Sequence, residues 1–168
     1  MRIITGLFLV LVFLFAAFGQ KSNTKLQTES FNVSDMDGQS FDNVQLKGKI
    51  VLLAFWSTRC PICTAEIPKL NRLAASFTGK DVVFLALTAE NELKVKNHLR
   101  KKPFDFNIVP NSFGMILKFA DRDDKGNLMM GYPAYYLINQ KGEIELKTSG
   151  YNKSGMLDKQ INRLLMPE

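Results

Sequence analysis

The chain has 168 residues, 46% of them hydrophobic and 23% charged, enough for one domain with its own core and too few for two comfortable ones. Its formal charge is +6, but the basic residues are dispersed apart from Arg100-Lys101-Lys102, and no basic stripe is interleaved with aromatics, which sets nucleic-acid binding aside. The two cysteines, Cys60 and Cys63, are separated by two residues, and a bridge between them closes too small a loop to staple a fold.

The first residues follow the pattern of a secretory signal peptide: Arg2, an apolar segment over residues 3–18, and the small residues Ala17 and Gly19 before Gln20. Residues 1–19 are therefore expected to be a signal peptide. The alternative is an uncleaved anchor, for which about sixteen apolar residues is short against the roughly 20 needed to span a bilayer. Either way the domain is exported to the periplasm or its equivalent, and the absence of cysteine at the cleavage point excludes lipoprotein attachment. Residues 20–30 read as a polar linker and residues 31–168 as the folded domain.

Residues 31–34 and 39–42 alternate in polarity around Asp37-Gly38, a hairpin signal. The turn Lys47-Gly48-Lys49 leads into residues 50–55, an uninterrupted apolar run of the kind that forms a strand buried on both faces. A helix is expected over residues 61–77, with Pro61 at its first position and Gly79 able to cap its end. A second apolar strand covers residues 81–88. A helix over 90–102 follows, with Leu93 and Leu99 inward, and Pro103 ends it. A short strand at 104–109, a short helix at 112–119 and a polar loop at 121–127 come next. Residues 132–138 form a strand that the turn 139–142 returns into 143–147. A last helix over 153–165 offers Met156, Ile161, Leu164 and Leu165 to the core. Strands alternating with helices place helices on both faces of a central sheet.

The chemistry concentrates where the first buried strand meets its helix. A thiol at a helix N-terminus faces free backbone N–H groups and the positive end of the helix dipole, and both stabilise a thiolate. Cys60 is the candidate attacking thiol, and Cys63, one turn further in, resolves the mixed disulfide. A half zinc site and an inert reduced pair are the structural alternatives. Zinc needs four ligands and the chain has one histidine, so one chain cannot complete a cysteine/histidine site. Thr64 stands where a c-type haem site needs histidine. Arg59 beside Cys60 either favours its thiolate or is an exposed arginine with no such part.

Glu66 falls on one helical stripe with Cys63, Leu70, Leu73 and Phe77. A carboxylate there is costly to ionise, which gives it the character of a proton carrier for Cys63. The alternative is a stripe-edge glutamate that reaches solvent. Pro68 lies inside the same helix and removes the bond to the Thr64 carbonyl, so a kink is expected. Pro133, after Tyr132, opens an apolar strand, either as an edge feature or as a cis-proline beside the thiols, where an incoming peptide pairs. His98 reads as a surface residue. The run 121–126 is a poor calcium loop, because Lys125 takes a ligand position and Tyr132 stands where the bidentate glutamate belongs. Met115, Met129 and Met130 read as core filler.

The segment from Phe55 to Cys63, with Trp56 and Arg59 inside it, Glu66-Ile67-Pro68 after it and Gly131-Tyr132-Pro133 later, resembles the TlpA/ResA-type thioredoxin-like thiol–disulfide oxidoreductases of bacteria. The resemblance runs over residues 31–165. It implies a thioredoxin-like α/β fold, with a central mixed β-sheet, helices on both faces and an extra N-terminal β-hairpin. It also implies Cys60 as nucleophile, Cys63 as resolving thiol, a Cys60–Cys63 redox disulfide, Glu66 as the acidic residue near them and Pro133 as the cis-proline. Tyr132, Pro133, Trp56 and Arg59 are the candidate substrate-binding residues. No metal or cofactor is implied. The expected partners are protein thiols and disulfides and a membrane-bound electron donor, with membrane contact only through the N-terminal segment if it is retained. Two departures stand out: Arg59 replaces a frequent tryptophan, and Ala54 stands where thioredoxin itself carries an acid.

An exported reductase of protein disulfides, with apocytochrome c thiols as the family-suggested substrate, leads. A thiol peroxidase is the second reading, although Leu53 and Ser57 replace the proline and threonine of a peroxiredoxin motif. The third is a binding module whose cysteine pair is only a local clip.

Overall fold

The computed structural model describes residues 26–166; the expected signal peptide and the start of the linker lie outside them. The leading hairpin pairs β1 (Asn32–Ser34) with β2 (Ser40–Asp42). Its turn is held by Asp35, whose carboxylate accepts from the backbone N–H groups of Asp37 and Gln39. The hairpin is a small sheet of its own, set against the domain through Phe31 and Phe41.

The central sheet has five strands, in the order β5 (Asn107–Val109), β4 (Val82–Leu87), β3 (Ile50–Phe55), β8 (Ala134–Ile138), β9 (Ile144–Ser149). The first three are parallel, and β8 and β9 return antiparallel. Successive strand side chains point to opposite faces, and both faces are covered. From β3, Ile50, Leu52 and Ala54 enter one core and Val51, Leu53 and Phe55 the other. Tyr135 and Leu137 of β8 split in the same way from Tyr136 and Ile138. This two-sided burial is the reason β3 reads as a continuous apolar run.

Three helices cover the first face: α1 (Pro61–Ser76), α2 (Glu92–Leu99) and α4 (Ser154–Leu165). The second face takes α3 (Phe113–Phe119) and the hairpin. Pro61 opens α1, Pro68 lies within it, and the helix stops at Phe77, before a left-handed turn at Gly79.

Several local expectations change. The helix expected over 90–102 is shorter, because the side chain of Asn91 accepts from the Lys94 N–H and caps it. Capping shifts the buried face to Val95 and leaves Leu93 71% exposed. In α4 the buried residues are Leu157 and Ile161, while Met156 faces solvent. The polar stretch after α3 is a miniature hairpin of β6 (Asp121–Arg122) and β7 (Leu128–Met129). Its tip is closed by Asp123, which accepts from the N–H groups of Lys125 and Asn127. Those bonds tie Asp123 into its own turn.

Candidate active site

At the end of β3 the chain leaves the sheet, crosses residues 56–59 and enters α1 through Cys60. Cys60 is the N-cap: its backbone is extended, and its sulfur accepts from the Cys63 N–H at 3.1 Å. A sulfur in that position receives one of the donors the first helical turn cannot satisfy internally. Cys60 and Cys63 are joined as a disulfide with their Cα atoms 5.2 Å apart. The two sulfurs are not equivalent. Cys63 is buried beneath the helix, whereas Cys60 is half-buried and is followed by the exposed Pro61 and Ile62. An attacking partner reaches Cys60 first.

Sheet register brings the later motif to the same end. Ala134 pairs with Phe55, so Pro133 lies level with the residues that leave β3. The Tyr132–Pro133 peptide is cis, as the second reading of that proline anticipates. Pro133 is buried and Tyr132 half-buried. Burial, and then the charge of Glu90, pushes the Tyr132 phenol above its ordinary value.

Glu66 is fully buried, which excludes a stripe-edge residue reaching solvent. It is not bare, however. One carboxylate oxygen accepts from the backbone N–H groups of Asn152 and Lys153, at 2.9 and 3.3 Å, and the other from Lys69 Nζ at 3.0 Å. Lys69 also donates to Asn152 and lies over the Tyr151 ring. Glu66 thus ties α1 to the turn between β9 and α4. Its charge also reaches the sheet, where burial first and then Glu66 push the Tyr135 phenol up.

Trp56 does not face an incoming substrate. It is 2% exposed, with its ring against His98 and Phe104, because alternation along β3 turns it toward the first core. It backs the site from beneath. His98, expected at the surface, is half-buried with its ring 5.6 Å from that of Trp56. Arg59 is 81% exposed and reaches back to Glu90 Oε1 at 3.8 Å.

Glu90 is the residue that sequence reasoning missed. Its carboxylate accepts from the Thr58 N–H at 2.7 Å and the Thr58 hydroxyl at 2.8 Å, and it pairs with Lys94 at 3.0 Å. Burial pushes its carboxyl up, but the Thr58 N–H, Lys94 and the Thr58 hydroxyl outweigh that and hold it below its ordinary value. Placing Glu90 inside the helix hid it. Asn91, a strong N-cap residue at the head of that segment, is the signal that frees Glu90 to leave the helix. No group of three or more histidine, cysteine or acidic residues able to hold a metal occurs among the described residues.

Comparison with known proteins identifies the chain's family and fold. The AhpC/TSA family matches residues 25–147. The thiol-disulfide oxidoreductase ResA of Bacillus cereus is 31% identical over 157 residues, spanning 89% of this chain and 83% of that protein. ResA of Bacillus subtilis is 25% identical over 94% of this chain and 89% of its own. Among solved structures, a thiol:disulfide interchange protein of the thioredoxin family from Chlorobium tepidum superposes with a TM-score of 0.73 at 23% identity, covering 86% of this chain and 99% of that one. The exposed lipoprotein thioredoxin of Streptococcus pneumoniae gives 0.67 at 22% identity, over 81% and 100%. At these identities the structural matches bear on the fold alone, which is thioredoxin-like.

Proposed function

This chain belongs to the AhpC/TSA family and is a thiol–disulfide oxidoreductase of the ResA type, and from that premise we propose that it works outside the cytoplasm as a reductase of protein disulfides. The observation that carries the exchange chemistry is the asymmetry of the pair: an accessible sulfur capping a helix, bridged to one buried below it.

In the dithiol form the Cys60 thiolate attacks one sulfur of a substrate disulfide. That bond breaks, the released substrate sulfur takes up a proton, and Cys60 is left in a mixed disulfide. Cys63 then gives up its thiol proton, with Glu66 one helical turn along as the acceptor, and attacks the Cys60 sulfur. The second substrate sulfur leaves and is protonated. Two electrons have passed to the substrate, and the protein holds the Cys60–Cys63 bridge. A membrane-bound donor returns two electrons, with two protons from solvent, to restore the dithiol. Arg59, Tyr132 and Pro133 meet the substrate around Cys60, and disulfides of apocytochrome c are the substrates this reading favours.

Exchange with a disulfide-bonded protein tests the chemistry. Cys60→Ser is expected to lose at least about a hundredfold in rate, and Cys63→Ser to accumulate a mixed disulfide through Cys60. A Cys60→Ser protein as fast as its parent overturns the assignment. Glu66→Gln is expected to change the pH profile of the resolving step, and an unchanged profile removes Glu66 from it. Labelling of intact cells with a membrane-impermeant thiol reagent tests the location. Rapid consumption of hydrogen peroxide by the reduced protein would favour a peroxidase instead.

A further inference from the structure

One carboxylate outside the cysteine motif touches both of the residues just ahead of Cys60. Glu90 precedes α2, yet its two oxygens hold the N–H and hydroxyl of Thr58, two residues ahead of Cys60, and its Oε1 faces Arg59, the residue next to Cys60. The Glu90 side chain is only 9% exposed, so its charge is less screened than that of a surface pair. The charged and titratable groups around it are Arg59 on the loop, Lys94 on α2 and Tyr132 ahead of β8. Glu66 and Lys69 lie further along α1.

A guanidinium beside Cys60 would by itself stabilise its thiolate. Stabilising the thiolate stabilises the dithiol form, which makes a cysteine pair a better oxidant and a poorer reductant. Glu90 opposes that effect. Its negative charge pairs with Arg59 at 3.8 Å, and its bonds to Thr58 fix the path by which the loop presents Cys60 to α1.

We propose that Glu90 is a positioning residue that fixes the loop ahead of Cys60 and offsets the charge of Arg59, and so shifts the Cys60–Cys63 pair toward the reducing side. The inference rests on the reading that Cys60 is the attacking thiol. It assigns to one largely buried carboxylate a share in setting the potential that the cysteine motif leaves open.

Equilibration with glutathione, together with the pH dependence of Cys60 alkylation in the full chain, tests it. Glu90→Gln keeps the shape and adds one unit of positive charge to the neighbourhood. The dithiol is expected to gain about threefold over the disulfide, about 14 mV by the constant of 29.6 mV per tenfold, and the Cys60 thiolate to form at lower pH. Both shifts shrink in 1 M salt, where the screening length falls to about 3 Å. Arg59→Gln, at an exposed site, moves both readouts the other way, and the double variant returns close to the parent. Glu90→Ala is expected to speed exchange of the Thr58 amide at least tenfold.

A Glu90→Gln protein with the parent's equilibrium and alkylation profile overturns the proposal. So does Arg59→Gln without effect, a double variant that keeps the whole Glu90→Gln shift, or an unchanged Thr58 amide. Mapping the alkylated residue separates this failure from failure of the functional reading. Label on Cys63 in the parent refutes the role of Cys60 and the inference with it. Label on Cys60 without the expected shifts refutes the role of Glu90 alone.

Discussion

Replacing Glu66 by alanine should destabilise the oxidised protein by about 3 kcal/mol. The carboxylate is fully buried and accepts two backbone N–H groups from the turn at Asn152 and Lys153. Losing a charged acceptor costs a buried donor about 1–3 kcal/mol. Asn152 is exposed and Lys153 half-buried, so water can reach these donors and the low end applies, about 1 kcal/mol for each. The single methylene removed together with the carboxylate leaves a small void, worth about another 1 kcal/mol. Lys69 keeps Asn152 and the Tyr151 ring as partners and adds nothing to this figure. For a domain of this size the melting temperature should fall by about 10 °C, read by circular dichroism at pH 7 with the disulfide intact. Amide exchange at Asn152 and Lys153 should quicken in parallel. Glu66→Gln retains one oxygen acceptor and should lose only about a third as much. If the alanine variant melts within about 3 °C of the parent, or the two amides keep their protection, Glu66 does not hold α1 to that turn.

The remaining expectations concern pH and helix packing. Glu90 has a folded pKa below its ordinary value of 4.5, so the stability it contributes is fully present above that value and is lost as pH falls through the lower folded one. The acid limb of melting temperature against pH should therefore flatten in Glu90→Gln, and superimposable limbs would count against the loop contacts. The phenols of Tyr132, Tyr135 and Tyr136 are raised above 10.0, chiefly by burial. Their contribution is fully present below that pH and is lost as pH rises through the folded values, so melting should stay level to about pH 10 and decline beyond it. In α2, Val95→Ala should cost about 2 kcal/mol by urea unfolding, because the side chain is completely buried. Leu93→Ala should stay within about 0.5 kcal/mol, and equal losses at the two sites would contradict the helix register.

The sequence by itself determined the parts of this protein that rest on local pattern. Ile50–Phe55 is apolar at every position because alternating side chains fill two cores, and that continuity is visible without coordinates. The strand-to-helix junction, with Pro61 opening α1, was equally legible and located Cys60 at a helix N-terminus. Only the tertiary structure decided which side chains meet from distant segments. The register of β8 against β3 brings Pro133 level with the start of the motif loop. The same alternation that makes β3 readable turns Trp56 inward, whereas a motif read as a string leaves its direction open. Glu66 could be placed on an apolar stripe, but its donors come from a turn more than eighty residues later. Glu90 depended on where one helix began: a cap at Asn91 in place of a longer helix turned a surface residue into the support of the loop that carries Cys60. Periodicity records which face of an element is buried. Which partners cover that face is set by loop entry and strand register, which no local pattern encodes.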